Sequence, residues 1–309
     1  MAEWLFEAGI GEDRAALVED GEIVEARIER HDNPARFGAI MHGRLRRKSG
    51  PTGRGEVELA SGVAALLSPV PAGLTEGATL FVEVVRESIP ERGNPKLALV
   101  RPAEASAAHP APSLIGSLPA ARPLRPHGPD ALEAAGWSEL IEQAETGLVP
   151  FAGGLLRVAL TPAMTVIDVD GELPAAELAV KGAAAAGAAI RRFGIGGSIG
   201  VDLPSVPSKQ VRQAAAEALD AALPQPFERT AVNGFGFLQV VRRRVRPSLL
   251  ELIQADPTEA AALALLRRAE REPVGPVALD GPAAVLARLQ SRSDWVAELE
   301  RRRGSPVRL

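Results

Sequence analysis

The stretch MTVIDVDGELPAAELAVKGAAAAGAAIRRFGIGGSIGVDLPS, residues 164–205, decides the fold class. It opens on the β-branched run Met164 to Val169, continues through an alanine-rich segment from Ala175 to Phe193, and closes on a second apolar run, Ser198 to Leu203. Val and Ile suit a pleated surface, whereas Ala, Leu and Glu favour a helix, so the order reads strand, helix, strand. Outward from this unit, Leu155 to Leu160 reads as a hairpin partner of the first strand. Ser208 to Ala222 reads as a helix, and Glu228 to Val232 with Gly236 to Val241 as two further strands. Residues 136–250 are therefore predicted to form an α/β layer.

Upstream, the pattern changes to short alternating segments. Trp4-Leu5-Phe6, Arg14 to Val18 and Ile23 to Ile28 alternate as strands, and Asp20-Gly21 between the last two is a hairpin signal. Residues 1–37 are read as an N-terminal β segment. From 38 to 102, five short segments separated by Gly, Pro and Ser turns are compatible with a small barrel of the OB type. Residues 103–135, rich in Pro and Ala, are read as a linker. After Pro247 the pattern is helical, so 251–309 is predicted to be a small helical region. The fold class expected is α+β.

The composition, 46% hydrophobic and 24% charged, is that of a globular chain long enough for a sizeable core. No apolar run approaches a membrane span, and the first residues, MAEWLFEAGIGEDR, lack the basic and apolar regions of a secretory signal. A soluble, cytoplasmic protein without a membrane partner is expected. With no cysteine, disulfides and thiolate metal sites are excluded, and His31, His42, His109 and His127 lack zinc-motif spacing. A hard, oxygen-liganded cation is the metal class left open. Positive charge is nearly all arginine, the side chain that forks onto phosphate.

Two acids stand out by position. Asp168 lies at the end of one apolar strand and Asp202 at the end of another, where an α/β sheet presents side chains to ligands. Two carboxylates from different strands can share one Mg²⁺, which keeps its other positions for water and phosphate oxygens. The plain alternative is that each aspartate caps the next helix or closes a turn. In FGFLQVVRRRVRPSLLE, residues 235–251, a strand would put Arg242, Arg244 and Arg246 on one face, a row suited to a phosphate backbone or to a charged, solvated edge.

Five segments, in order, resemble the ribonuclease E/G family. They are GEDRAALVEDGEIVEARIERHDNPARFGAIMHGRL, TEGATLFVEVVRESIPERGNPKLALV, LVPFAGGLLRVALTPAMTVIDVDG, GGSIGVDLPS and VNGFGFLQVVRRRVRPSL. The resemblance implies an S1-like barrel followed by a nuclease-like α/β domain. It also implies a Mg²⁺-dependent endoribonuclease, with Mn²⁺ as an alternative metal, that cuts single-stranded RNA to leave 5′-phosphate and 3′-hydroxyl ends. Asp168 and Asp202 would be the metal ligands and catalytic residues. Asp170 and Lys181 stand where the family usually has Asn, Ser205 where a further acid is usual, and Gln239 where it has Glu, so the surroundings of the pair are altered. Arg86 and Arg92 fall where the family's barrel has basic residues facing RNA, and Glu58 and Leu66 where it has stacking aromatics. The family's 5′-sensing domain and its zinc-linking cysteines have no counterpart, which implies no zinc-linked tetramer and leaves a homodimer open. The alternative function is a catalytically weak or inactive RNA-binding paralogue acting as adaptor or regulator.

Overall fold

A computed structural model describes residues 1–50, 53–91, 93 and 95–309. The chain opens on an antiparallel meander of β1 (Glu3–Ala8), β2 (Glu12–Glu19) and β3 (Glu22–Arg30). The β2–β3 turn places Asp20 at φ 50° and Gly21 at φ 88°, the left-handed pair that matches the twist of a tight hairpin. Between β1 and β2, Gly11 is also left-handed, and a Cβ there would fall 2.7 Å from Leu263 and from Trp295. Only glycine lets this corner meet the C-terminal helices so closely.

The next five strands close on themselves. β4 (Ile40–Ser49), β5 (Arg54–Leu59), β6 (Ala64–Leu67), β7 (Thr79–Arg86) and β8 (Ala98–Pro102) form a barrel in the order β4-β5-β6-β8-β7, with β7 pairing back to β4. The β6–β8 pair is parallel and the others antiparallel. Alternation sends Leu45, Val57, Leu67, Val82 and Val100 inward, where they are buried.

Residues 103–135 are not the free linker that their composition suggests. Leu114 and Leu118 are buried against Trp4, Phe6 and Ala15. β9 (Arg122–Pro123) then adds parallel to β1, and α1 (Ala131–Ala134) starts behind Asp130, whose carboxylate accepts the Glu133 amide. A few isolated leucines anchor this stretch, and they carry no periodicity for a sequence reading to find. Consequently the barrel is an excursion from one sheet, ordered β3-β2-β1-β9, rather than the second of two serial modules.

The third unit contains α2 (Trp137–Thr146), β10 (Leu148–Phe151), β11 (Gly154–Leu160), β12 (Thr165–Gly171), α3 (Ala175–Arg192), β13 (Gly197–Asp202), α4 (Lys209–Ala222), β14 (Glu228–Arg229) and β15 (Phe237–Arg242). Its sheet runs β10-β11-β12-β13-β15-β14, and only the β12–β13 pair is parallel, because only those neighbours are joined by the α3 crossover. Ile167, Val169, Ile199, Val201, Leu238 and Val240 point to the face covered by helices. The opposite side chains, Arg157, Asp168, Asp202, Phe237 and Gln239 among them, are half-buried or exposed.

The end of the chain is helical, as predicted, with a two-residue ladder added. α5 (Leu249–Ala255) opens on a capping box between Ser248 and Glu251. It is followed by α6 (Pro257–Arg271), β16 (Val277–Ala278), α7 (Ala283–Ser291), α8 (Ser293–Arg303) and β17 (Val307–Arg308). Ile10 joins Leu263, Leu266, Leu289, Trp295 and Leu299 in one core. No described helix is long and apolar enough to cross a membrane.

A buried charge network ties these parts together. The Arg14 side chain, 2% exposed, donates to Glu7 and, at 2.7 Å, to Asp130, and it lies 5.0 Å from the Trp137 ring. Glu7 also takes Arg271, while Glu12 takes Arg267 and, at 2.9 Å, Arg30. Removing one member strands the others as uncompensated buried charges. Arg14→Met is therefore expected to lower stability by about 3–5 kcal/mol in a denaturant titration.

Burial pushes the Asp130 carboxyl up, but Arg14, the Glu133 amide and Arg271 outweigh it, leaving the pKa below its ordinary 3.8. A depressed carboxylate contributes stability above its unfolded pKa and loses it as pH falls through the folded value. The stability gap between the parent chain and Asp130→Asn should therefore be full at neutral pH and shrink below about pH 4. Denaturant titrations at several pH values would check this.

Candidate functional site

Parallel pairing of β12 with β13 sets Asp168 directly beside Asp202. Partners in register on adjacent strands project to the same face, and their backbones lie about 4.8 Å apart. The row continues on both sides, with Arg157 opposite Asp168 on β11 and Phe237 opposite Asp202 on β15. Four strands thus align an arginine, two aspartates and a phenylalanine across the face away from the helices. Asp168 is half-buried and Asp202 exposed.

Neither aspartate side chain has a hydrogen bond or ion pair among the described residues. Nor does either cap a helix, since α3 starts behind Pro174 with no side-chain cap and α4 is capped by Ser208. The turn-and-cap explanation of these acids therefore does not hold. Two adjacent carboxylates repel each other, and the nearest cation in the row, Arg157, is engaged by Asp170. The donor set is all oxygen and suits a hard cation that keeps most of its coordination for water and phosphate. Among the described residues no group of three or more His, Asp or Glu side chains converges on a point, so any ion here rests on this pair.

The positions around the pair divide. Asp170, two residues along β12, accepts Arg157 Nε at 2.7 Å, so the extra carboxylate is held by the arginine of the same row. Gln239 lies opposite Gly200 and donates to Ser198 Oγ at 2.7 Å, on the same face as the acids. Ser205 donates to the Phe235 carbonyl at 2.7 Å and so ties the end of β13 to the loop before β15. Lys181 does not belong to the site. It lies on the exposed side of α3, paired with Glu177 at 2.7 Å one helical turn away, because the spacing of α3 turns residue 181 to solvent when Leu178, Ala179 and Gly182 face the sheet.

The arginine run is also displaced from the acids. Strand β15 ends at Arg242, which pairs with Gly197, whereas Asp202 pairs with Phe237. Five residues of antiparallel strand separate the two levels, about 17 Å. Arg242 alternates with Leu238 and Val240, so it also belongs to the helix-covered side. Beyond it the strand gives way to the approach to Pro247 and the cap of α5, and a shared face for Arg242, Arg244 and Arg246 is not formed. Arg244 instead pairs with the largely buried Glu251.

In the barrel, Arg86 donates to the Leu97 carbonyl at 2.7 Å. Arg86 is half-buried, and that burial, with Arg244 nearby, lowers its pKa. Arg92 lies outside the described residues. Glu58 is paired with Arg46, and Leu66 is half-buried on the barrel's outer surface.

Sequence reading passed over several residues that the fold gathers. Phe235, 84% exposed, stands in the loop two residues ahead of Phe237, the ring opposite Asp202. The signal was present as Phe235-Gly236-Phe237, but that stretch drew attention for its arginines. On the barrel, His42 and Phe81 stack across β4 and β7 with centroids 4.2 Å apart. A shallow depression of about 610 Å³ at the end of β12 is lined by Gly153, Leu155, Asp170 and Leu173, and neither Asp168 nor Asp202 is among its lining residues. No protein-family model matches the chain, and no curated protein matches its sequence.

Like charges side by side on a sheet cost roughly 0.2–1 kcal/mol. Asp202→Asn is therefore expected to leave the chain as stable as before, or more stable by that amount, in a denaturant titration with EDTA. A loss of stability would identify Asp202 as a structural group.

Proposed function

We propose that the chain is a metal-dependent endoribonuclease acting on single-stranded RNA, with Asp168 and Asp202 as the ligands of one Mg²⁺ or Mn²⁺. The observation that supports this most is the in-register pair of unpartnered carboxylates on the open sheet face. Groups left like this lose stability for the free protein, which is a signature of function. When bound, the metal supplies an activated water for attack on phosphorus and neutralises charge developing on the phosphate. Asp168 and Asp202 would hold it at a fixed place on rigid strands. Arg157 keeps Asp170 occupied, so that acid is directed away from the incoming phosphate.

Binding would rest on rings and charge around the site. Phe235 and Phe237 offer platforms for bases next to the acids, and the His42–Phe81 pair offers another on the barrel. The barrel's order, first-second-third-fifth-fourth strand and back to the first, supports an OB-type, S1-like reading. With it goes kinship to the ribonuclease E/G family and a cytoplasmic role in RNA processing or decay. The altered neighbours, Asp170, Ser205 and Gln239, favour the second reading, an RNA-binding paralogue that does not cut.

The test is incubation of the purified chain with an unstructured, 5′-labelled RNA in Mg²⁺ and in EDTA. Shortening that needs metal and disappears in Asp168→Asn and in Asp202→Asn is the expected result. RNA that is retained but never shortened would leave the adaptor reading. Phe235→Ala is expected to weaken RNA retention by about 1–3 kcal/mol, the worth of one stacked base, in a filter-binding titration at fixed salt.

A further inference from the structure

The arginines that leave the acid pair gather elsewhere. A cleft of about 280 Å³ lies between β3 and the segment that follows β15, and Arg27, Arg242, Arg243, Arg244 and Arg246 all line it. Arg246 also lines a neighbouring cleft of about 280 Å³, together with Glu29, Asp32 and Glu87. Glu25 is the one acid in the first cleft, and Arg27 already holds it through two hydrogen bonds to Oε1, at 2.7 and 3.1 Å.

The remaining cations are short of partners. Arg246 has no hydrogen bond or ion pair among the described residues, although the carboxylates of Glu87, Glu29 and Glu25 act on it from farther away. Of these, Glu29 is paired with Arg36, and Glu87 is occupied by the Phe37 amide and Asn33. Arg242 makes one contact, a 3.3 Å bond to the Ile195 carbonyl. Arg243 has no hydrogen bond or ion pair from its side chain among the described residues and lies 5.7 Å from the Phe37 ring centroid. Nearby, Arg191 lies 4.0 Å from Glu25 and Arg244 is paired with Glu251, yet the Nε of each is buried without a hydrogen-bond acceptor. Burial pulls the pKa of both Arg242 and Arg246 down, and Arg27 adds to it in each case. Glu251 answers Arg244 and Glu25 answers Arg27, which leaves Arg242, Arg243 and Arg246 without a carboxylate in hydrogen-bond reach among the described residues.

We infer that this cleft is a binding site for a tetrahedral oxyanion of the phosphate class, held by Arg242 and Arg246 and separate from the Asp168–Asp202 face. Forked N–H donors match phosphate oxygens, and a dianion would supply the missing charge. The cleft admits one such group, arriving either as inorganic phosphate or as the monoester end of a nucleotide. The inference does not rest on RNA cleavage: a chain inactive on RNA but saturable by phosphate would leave it standing.

The test is calorimetric titration and thermal unfolding of the full chain with inorganic phosphate and with adenosine 5′-monophosphate, ionic strength being held constant with chloride. Saturable binding and a rise in Tm are expected, and preference for one titrant identifies the source of the oxyanion. Arg242→Gln and Arg246→Gln should each weaken binding by roughly tenfold, the effect of one charge-assisted contact. Without phosphate, Arg246→Gln should unfold no earlier than the parent chain, since it removes a confined cation that makes no hydrogen bond or ion pair among the described residues. The inference is overturned if neither titrant does more than chloride, or if both variants bind as the parent does. It is equally overturned if Arg246→Gln unfolds earlier in phosphate-free buffer, which would make the residue structural.

Discussion

The register between β12 and β13 is the constraint on which the candidate site depends. A crossover through α3 forces the two strands to run parallel, and the buried faces of Ile167, Val169, Ile199 and Val201 fix which residues align. A slip of one residue would turn the apolar set outward and send the aspartates into the helix layer, so hydrophobic burial specifies the carboxylate pair. The repulsion between the acids is small against that burial, and the core holds them together against their own preference.

A second constraint acts between units. The network of Glu7, Arg14, Asp130, Arg267 and Arg271 reaches from the first hairpin to the segment before α1 and to α6. Buried ion pairs add little net stability compared with apolar packing, but their geometry tolerates few alternatives. Here it fixes how the excursion into the barrel returns to the sheet. Charges at the far end of the α/β sheet are treated differently. The arginines of the first network each face a carboxylate within 4 Å, whereas Arg242 and Arg246 have no ion pair among the described residues, and that contrast is what gives the arginine cleft its meaning.

Much of this was legible in the residues. The hairpin at Asp20-Gly21, the alternating barrel strands, the strand–helix–strand unit and the helical end follow from local periodicity and turn chemistry, and Asp168 and Asp202 could be singled out because each sits near the end of an apolar strand. The stretch 103–135 misled, since Leu114 and Leu118 are anchors without a repeat. Lys181 and the arginines misled for a related reason. A matching position along the chain gives no direction in space, and the pitch of α3 and the end of β15 decide where those side chains point.

The sequence alone determined which segments are strands and helices, that thiolate chemistry is absent, and that two aspartates end apolar strands, because these depend on neighbours along the chain. The tertiary structure decided that the aspartates lie side by side and unpartnered, that Phe237 stands opposite Asp202, and that the arginine run opens a cleft about 17 Å away. Those outcomes depend on strand order, register and helix packing, which are set by burial of surfaces far apart in sequence and leave no trace in any single stretch of residues.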